Sequence, residues 1–144
     1  MPANLAQTNA TNYRPAKGTL TVNGVVVEGI APGGVQFTFM DDLNSVTTGL
    51  DGTWIFTTKE ACAGSCTINV LQTAPCIPMF NALLFANKFN DSGTFLLTYT
   101  SDDAKIIITM AAARFTKQPD LTFSDSPTDR VYTAITGNME VTSA

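Results

Sequence analysis

Histidine is absent from the whole chain, which removes the commonest general base, proton shuttle and imidazole metal ligand together. That weighs against most catalytic mechanisms. Cysteine is sparse and odd in number, three in all, so the thiols read as reduced side chains rather than a disulfide framework. Cys62-Ala-Gly-Ser-Cys66 with Cys76 leaves a zinc site short of its usual fourth ligand. Charge is scarce as well: Asp, Glu, Lys and Arg make up 14% of the chain, against about 25% in ordinary soluble domains. The net charge is −4 and the pI about 4.5, and the basic residues are scattered, which argues against a surface built to grip nucleic acid. Arg14 and Lys17 come closest to a cluster, and they read as part of a solvated arm. No segment approaches the roughly 20 apolar residues that span a bilayer. The opening Met-Pro-Ala-Asn-Leu-Ala lacks the basic and apolar regions of a secretory signal. The expectation is a soluble protein made in a cytosol, with no membrane partner.

Two other absences concern ligands. Asp41-Asp42 and Asp102-Asp103 lack the spacing of a calcium loop and read as solvated turn residues. Gly33-Gly34 is not followed by the Gly-Lys-Ser/Thr and helix of a phosphate loop. No cofactor and no catalytic or metal-binding residue is expected.

What the chain does have is 44% hydrophobic residues in 144, enough for one domain over residues 1–144 that removes roughly 68–70% of its unfolded surface from water. Residues 1–16, polar and rich in Ala, Asn and Thr, read as a loose arm or one ordered on assembly. From Gly18 the pattern is mostly strand. Residues 19–22 and 25–28 flank Asn23-Gly24, which favours a type I′ hairpin or else a bulge. Ala31-Pro32-Gly33-Gly34 is expected to break the chain before a strand in which Val35, Phe37 and Phe39 alternate with Gln36, Thr38 and Met40. Residues 46–49 and 53–58 pair across Leu50-Asp51-Gly52, with Trp54 and Phe56 on one face.

Cys66, Ile68 and Val70 then alternate with Thr67 and Asn69, the period-two pattern of a half-buried strand. Pro75 and Pro78 open a helix that Asn90-Asp91-Ser92-Gly93 stops. Met79, Phe80, Leu83, Leu84, Phe85, Ala86 and Phe89 cover most of its circumference, so it needs cover on more than one side. Another copy of the chain is one source of that cover. Phe95, Leu97 and Tyr99 start a further strand. Residues 104–116, with Ile106, Ile107, Ile108 and Met110, read as a strand buried on both faces. Residues 117–129 form a long excursion, and Val131, Thr133, Ile135 and Met139 alternate with polar neighbours in one last strand. Trp54, Phe56, Phe95 and Tyr99 all sit in alternating strands and are expected in the core, in preference to a sugar- or base-stacking platform. The fold class is mainly β, an antiparallel β-sandwich or barrel with one packed α-helix.

Cys66-Thr-Ile-Asn-Val-Leu-Gln-Thr-Ala-Pro75 followed by the helix through Leu83 and Leu84 resembles the strand-then-helix core of phage tail tube proteins. Gly18-Thr-Leu-Thr-Val-Asn-Gly24, the hairpin at Asp51-Gly52, the strand over 105–115 and Thr136-Gly-Asn-Met-Glu140 also look like that group, particularly small structural proteins of contractile-tailed phages. The resemblance implies a virion protein, made in the host bacterial cytoplasm, that forms hexameric rings stacked into a hollow tube. Tail sheath, baseplate and tail terminator would be its partners, and genomic DNA would pass through without specific binding. Tubes of contractile bacteriocins and type VI secretion share the fold, so fold alone does not separate these uses. A monomeric β-sandwich that binds sugar or peptide is the rival from another class. On the tube reading the candidate subunit interface is Leu43, Asn44, Val46, Leu50 and Asp51 around the hairpin, with Phe80, Leu84 and Phe85 on the helix.

Overall fold

Tight turns decide which strands meet first. In the computed structural model, which describes residues 18–143, Asn23 and Gly24 have φ of 52° and 81°, and Val22 pairs directly with Val25. Two positive φ angles in a two-residue loop make a type I′ hairpin rather than a bulge. The elements are β1 (Gly18–Val22), β2 (Val25–Val26), β3 (Ile30–Phe39), β4 (Asn44–Thr48), β5 (Trp54–Thr58), β6 (Gly64–Val70), α1 (Ile77–Asn90), β7 (Phe95–Ser101), β8 (Ile106–Phe115), β9 (Arg130–Thr136) and β10 (Asn138–Ser143). The main sheet runs β2-β1-β7-β8-β9-β6-β3, β10 pairs with β8, and β4 and β5 form a separate two-stranded sheet. Every pairing between these strands is antiparallel. The expected mainly β fold with one helix is the fold the chain adopts. The arm at residues 1–16 lies outside the described residues.

Strand β8 belongs to both layers. Residues 106–111 pair with β10 and most of that stretch also pairs with β7, whereas Arg114 and Phe115 pair with β9. Between them Ala112 takes a φ of 52°, and the β7 register shifts between Phe95 and Leu97, the mark of a bulge that bends a strand. The Thr136 hydroxyl donates to the Ala111 carbonyl at this bend and accepts the Asn138 N–H at 3.2 Å. The bend carries β8 from one layer into the other.

Period-two alternation then fills the interior. Val22, Leu97, Met110 and Met139 lie in one cross-strand row and are all buried; in the other layer Ile68 lies opposite Tyr132 and Cys66 opposite Ala134. The helix adds Phe80, whose ring sits 5.0 Å from both Phe115 and Tyr132. Each such side chain is worth about 1.5–3 kcal/mol of burial. The Tyr132 hydroxyl donates to Asn81 Oδ1 at 2.9 Å, so its polar end is satisfied. The helix ends at Asp91, in the left-handed region at φ 51°, and Gly93 follows at φ 95°, where a Cβ would meet the Leu83 carbonyl. Arg114 fastens this end to β8, donating to Thr94 Oγ1 at 2.9 Å and Asn87 Oδ1 at 3.1 Å, with Asp91 at 3.6 Å.

Three expectations change. Ala31-Pro32-Gly33-Gly34 stays within β3 as an irregularity between Ile30 and Val35, because Pro32 and the glycines lie on a strand at the end of the sheet, where a missing donor is tolerated. The last strand is two, split at Gly137, and it is Tyr132, Ala134 and Thr136 that point inward while Val131 and Ile135 face out. Strand β8 is not buried on both faces, since Ile106 and Ala112 are exposed and residues 107–109 half-buried.

Two measurements test this packing. Phe80→Ala should cost about 3–5 kcal/mol of unfolding free energy, and Phe85→Ala, at an exposed site, under about 1 kcal/mol; equal losses would show that Phe80 is not in the core. Burial pushes the Cys66 thiol from 9.0 up to about 12. Above pH 9 the unfolded chain therefore releases a proton that the folded chain keeps, and stability should fall by about 1.4 kcal/mol per pH unit between pH 9 and 12. Cys66→Ala should flatten that decline in alkaline thermal melts; an unchanged slope would assign it to other groups.

Candidate assembly surface

Beyond the last β3–β6 contact, where the Met40 N–H donates to the Ala63 carbonyl at 3.0 Å, the chain leaves the sheet as a hairpin. Asn44 pairs with Thr58, Val46 with Phe56 and Thr48 with Trp54. The base is held by Lys59 N–H to the Leu43 carbonyl at 2.8 Å and by Thr58 Oγ1 to Asn44 Oδ1 at 2.8 Å. At the tip the Gly49 N–H donates to the Thr53 carbonyl at 2.6 Å, and Gly52 supplies a φ of 89°. The Thr53 hydroxyl and N–H both donate to Asp51 Oδ1, at 2.7 and 3.2 Å. Those donors, the hydroxyl first, hold the Asp51 carboxyl below its ordinary range, because a hydrogen bond to the charged form favours that form.

Alternation divides the hairpin into unlike faces. Val46, Trp54 and Phe56 share one with Asn44, Thr48 and Thr58; Ser45, Thr47 and Thr57 share the other with Ile55. Every residue of β4 and β5 is exposed. Trp54 at 63% and Phe56 at 68% correct the expectation that they belong to the core, which holds for Phe95 and, half-buried, for Tyr99. Among the described residues, their strands have no second layer behind them. An isolated two-stranded hairpin is marginal in water, and its apolar face lacks a partner among the described residues.

Of the expected interface residues, Leu43, Val46 and Leu50 stand exposed on this hairpin or at its base. Asn44 and Asp51 are exposed too, but their acceptor oxygens serve the hairpin itself. The helix residues separate. Phe80 is 0% exposed and is corrected to a core residue, because it points into the aromatic cluster with Phe115 and Tyr132. Leu84 packs half-buried against that core. Phe85 is exposed, its ring 4.6 Å from that of Phe89, and the two line a shallow groove of about 630 Å³ with Lys88 and Lys117. Trp54, Phe56, Ile55 and Phe89 were missed as surface residues. The available signal was the register across Asp51-Gly52, which places Val46 against Phe56.

Cys66 and Cys76 are buried and Cys62 exposed, all as free thiols. Among the described residues, no three His, Cys, Asp or Glu side chains gather as a metal site, and no helix is long and apolar enough to cross a membrane.

Known proteins share this architecture. The cap that terminates the tube of the anti-feeding prophage superposes with a TM-score of 0.68 at 12% identity, covering 94% of this chain and 93% of that one. The sheath/tube terminator of an extracellular contractile injection system, PVC, gives 0.65 at 10% identity over 94% of this chain and 99% of that one. A chain of the PVC sheath-tube complex gives 0.63 at 12% identity over 100% and 99%. At these identities the likeness is one of fold. No curated protein sequence matches the chain. The sequence profile of a structural, non-enzymatic family matches residues 5–141, nearly the whole chain, and by that match the protein belongs to the bacteriophage PhiTE tail tube protein family.

Proposed function

We propose that six copies of this chain close into a ring, that rings stack head to tail into the tube of a phage tail, and that the lumen conducts DNA into the host bacterium. The exposed apolar face of the β4–β5 hairpin carries the reading. A neighbouring subunit that covers Val46, Trp54 and Phe56 gains on the order of 5 kcal/mol per hairpin before ordering costs, and the contact recurs at every subunit. Head-to-tail contacts leave an open end, which suits a tube. Leu43, Val46, Leu50, Trp54 and Phe56 form the ring-joining surface. Leu84 and Phe85 supply a second contact on the helix. Tail sheath, baseplate and tail terminator are the further partners, and the mature protein resides in the virion.

The scarcity of positive charge fits a conduit for a polyanion. Each neutralised phosphate releases counterions and tightens binding, so a wall that passes DNA should carry few basic groups. This chain has 8 basic residues against 12 acidic ones. A bacteriocin or type VI-like tube would use the same hairpin for other cargo. Isolation of the tube from DNA-filled phage particles separates the cases.

Three outcomes are expected. Sedimentation and electron microscopy of the purified protein should show rings or tubes that lengthen with concentration, and a strictly monomeric species at high concentration would overturn the proposal. The double substitution Trp54→Ser with Phe56→Ser should leave the unfolding free energy within about 0.5 kcal/mol while abolishing tubes; normal tubes would exclude the hairpin as the joining arm. Purified tubes should bind double-stranded DNA more weakly than ordinary non-specific binders, whose dissociation constants are roughly 10⁻⁴–10⁻⁶ M at physiological salt, as read by filter retention. Tight, salt-sensitive retention would contradict passage without binding.

A further inference from the structure

We propose that the tip of the β4–β5 hairpin, Leu50-Asp51, docks in the helix groove of a second copy, with Leu50 against Phe85 and Phe89 and the Asp51 carboxylate against Lys88 and Lys117. The docking rests on the stacked-tube reading above and names the surface that receives the arm. Strand β6 keeps arm and groove apart within one chain. The hairpin leaves the sheet at the Gly64 end of β6, where Met40 bonds to Ala63, whereas α1 follows Val70 at the other end. Those seven residues span about 20 Å. The groove lies toward the Val70 end: the Thr116 N–H donates to the Thr133 carbonyl at 2.9 Å, so Lys117 and Gln118 continue toward Arg130, the partner of Val70. There Gln118 donates to Asn81 Oδ1 on the helix at 3.3 Å. An arm at one end and a groove toward the other form a heterologous contact that repeats from copy to copy.

Charge is segregated to match. Residues 41–58 contain Asp41, Asp42 and Asp51 and no basic residue, and all three carboxylates are exposed. The groove is lined by Lys88 and Lys117, two of the chain's 8 basic residues, and by no acidic one. Among the described residues neither lysine is in an ion pair; the one recorded joins Arg114 to Asp91. Opposite signs on two surfaces fix partner and register, and in a chain with 14% charged residues few groups are available to do so. The Thr53 donors take up two acceptor sites of the Asp51 carboxylate out of about four, which leaves capacity for an ammonium. Lys88 Nζ stands 5.3 Å from the centroid of the Phe89 ring, so charge and apolar surface adjoin in the groove as they do at the tip, where fully exposed Leu50 precedes Asp51.

Charge reversal in the full chain tests the docking. Asp51→Lys in one variant, and Lys88→Asp with Lys117→Asp in another, should each melt as the wild type does and raise the concentration needed for tubes more than about tenfold, since like charges then meet. An equimolar mixture of the two variants should assemble near the wild-type concentration, because each hairpin finds a groove of opposite sign on the other kind of copy. In wild-type tubes grown from mixed isotopically light and heavy protein, carbodiimide should couple Asp51 to Lys88 or Lys117, and mass spectrometry should find both labels within one linked peptide pair. Normal tubes from either variant, a mixture that does not recover, or coupling of Asp51 to neither lysine would overturn the docking and leave the stacked tube standing. Wild-type protein that stays monomeric would overturn the tube reading and the docking with it.

Discussion

The bend in β8 is the constraint on which the remaining architecture depends. One strand gives its first half to β7 and β10 and its last residues to β9, and only because Ala112 takes a left-handed conformation can it serve both layers. A non-glycine residue in that region costs roughly 1–2 kcal/mol. The cost is offset locally, by the Thr136 hydroxyl at the Ala111 carbonyl and by Phe115, which the bend delivers into contact with Phe80, Phe95 and Tyr132. Without the bend the aromatic cluster would lose its centre, and the helix would lose the surface on which Phe80 is seated.

Much of this was legible in the sequence, for reasons that differ by element. Cys66, Ile68 and Val70 were readable because one wet face and one dry face impose strict alternation, and all three are buried. The Asn23-Gly24 and Asp51-Gly52 turns were readable because few residues tolerate positive φ. The helix boundaries followed from proline at one end and Asp91-Ser92-Gly93 at the other. What alternation cannot supply is the identity of the inward face. Residues 130–136 show it plainly: Val131 and Ile135 look like the core set, yet Tyr132 and Ala134 are inside, since they are in register with Ile68 and Cys66 across the sheet.

The candidate surface was legible in outline and misread in detail for the same reason. Hairpin pairing around residues 49–53 could be read from turn chemistry, but Trp54 and Phe56 alternate exactly as core residues do. Only the absence of a second layer behind β4 and β5 marks them as surface. Phe80 and Phe85 are likewise indistinguishable by composition. Helical geometry turns one toward Phe115 and the other toward solvent, and nothing in a nearly all-round apolar helix states which side the sheet will take.

The hairpin's separation from the core has a consequence for how sequence change is felt. Its strands hydrogen-bond to each other and form a sheet of their own, so the free energy that keeps residues 64–139 folded is nearly blind to what occupies positions 44–58. Substitutions there escape selection for folding and are exposed only to selection for fit against whatever the hairpin touches. Core and arm can therefore diverge at different rates within one short chain, and a variant that melts normally can still be silent in the particle.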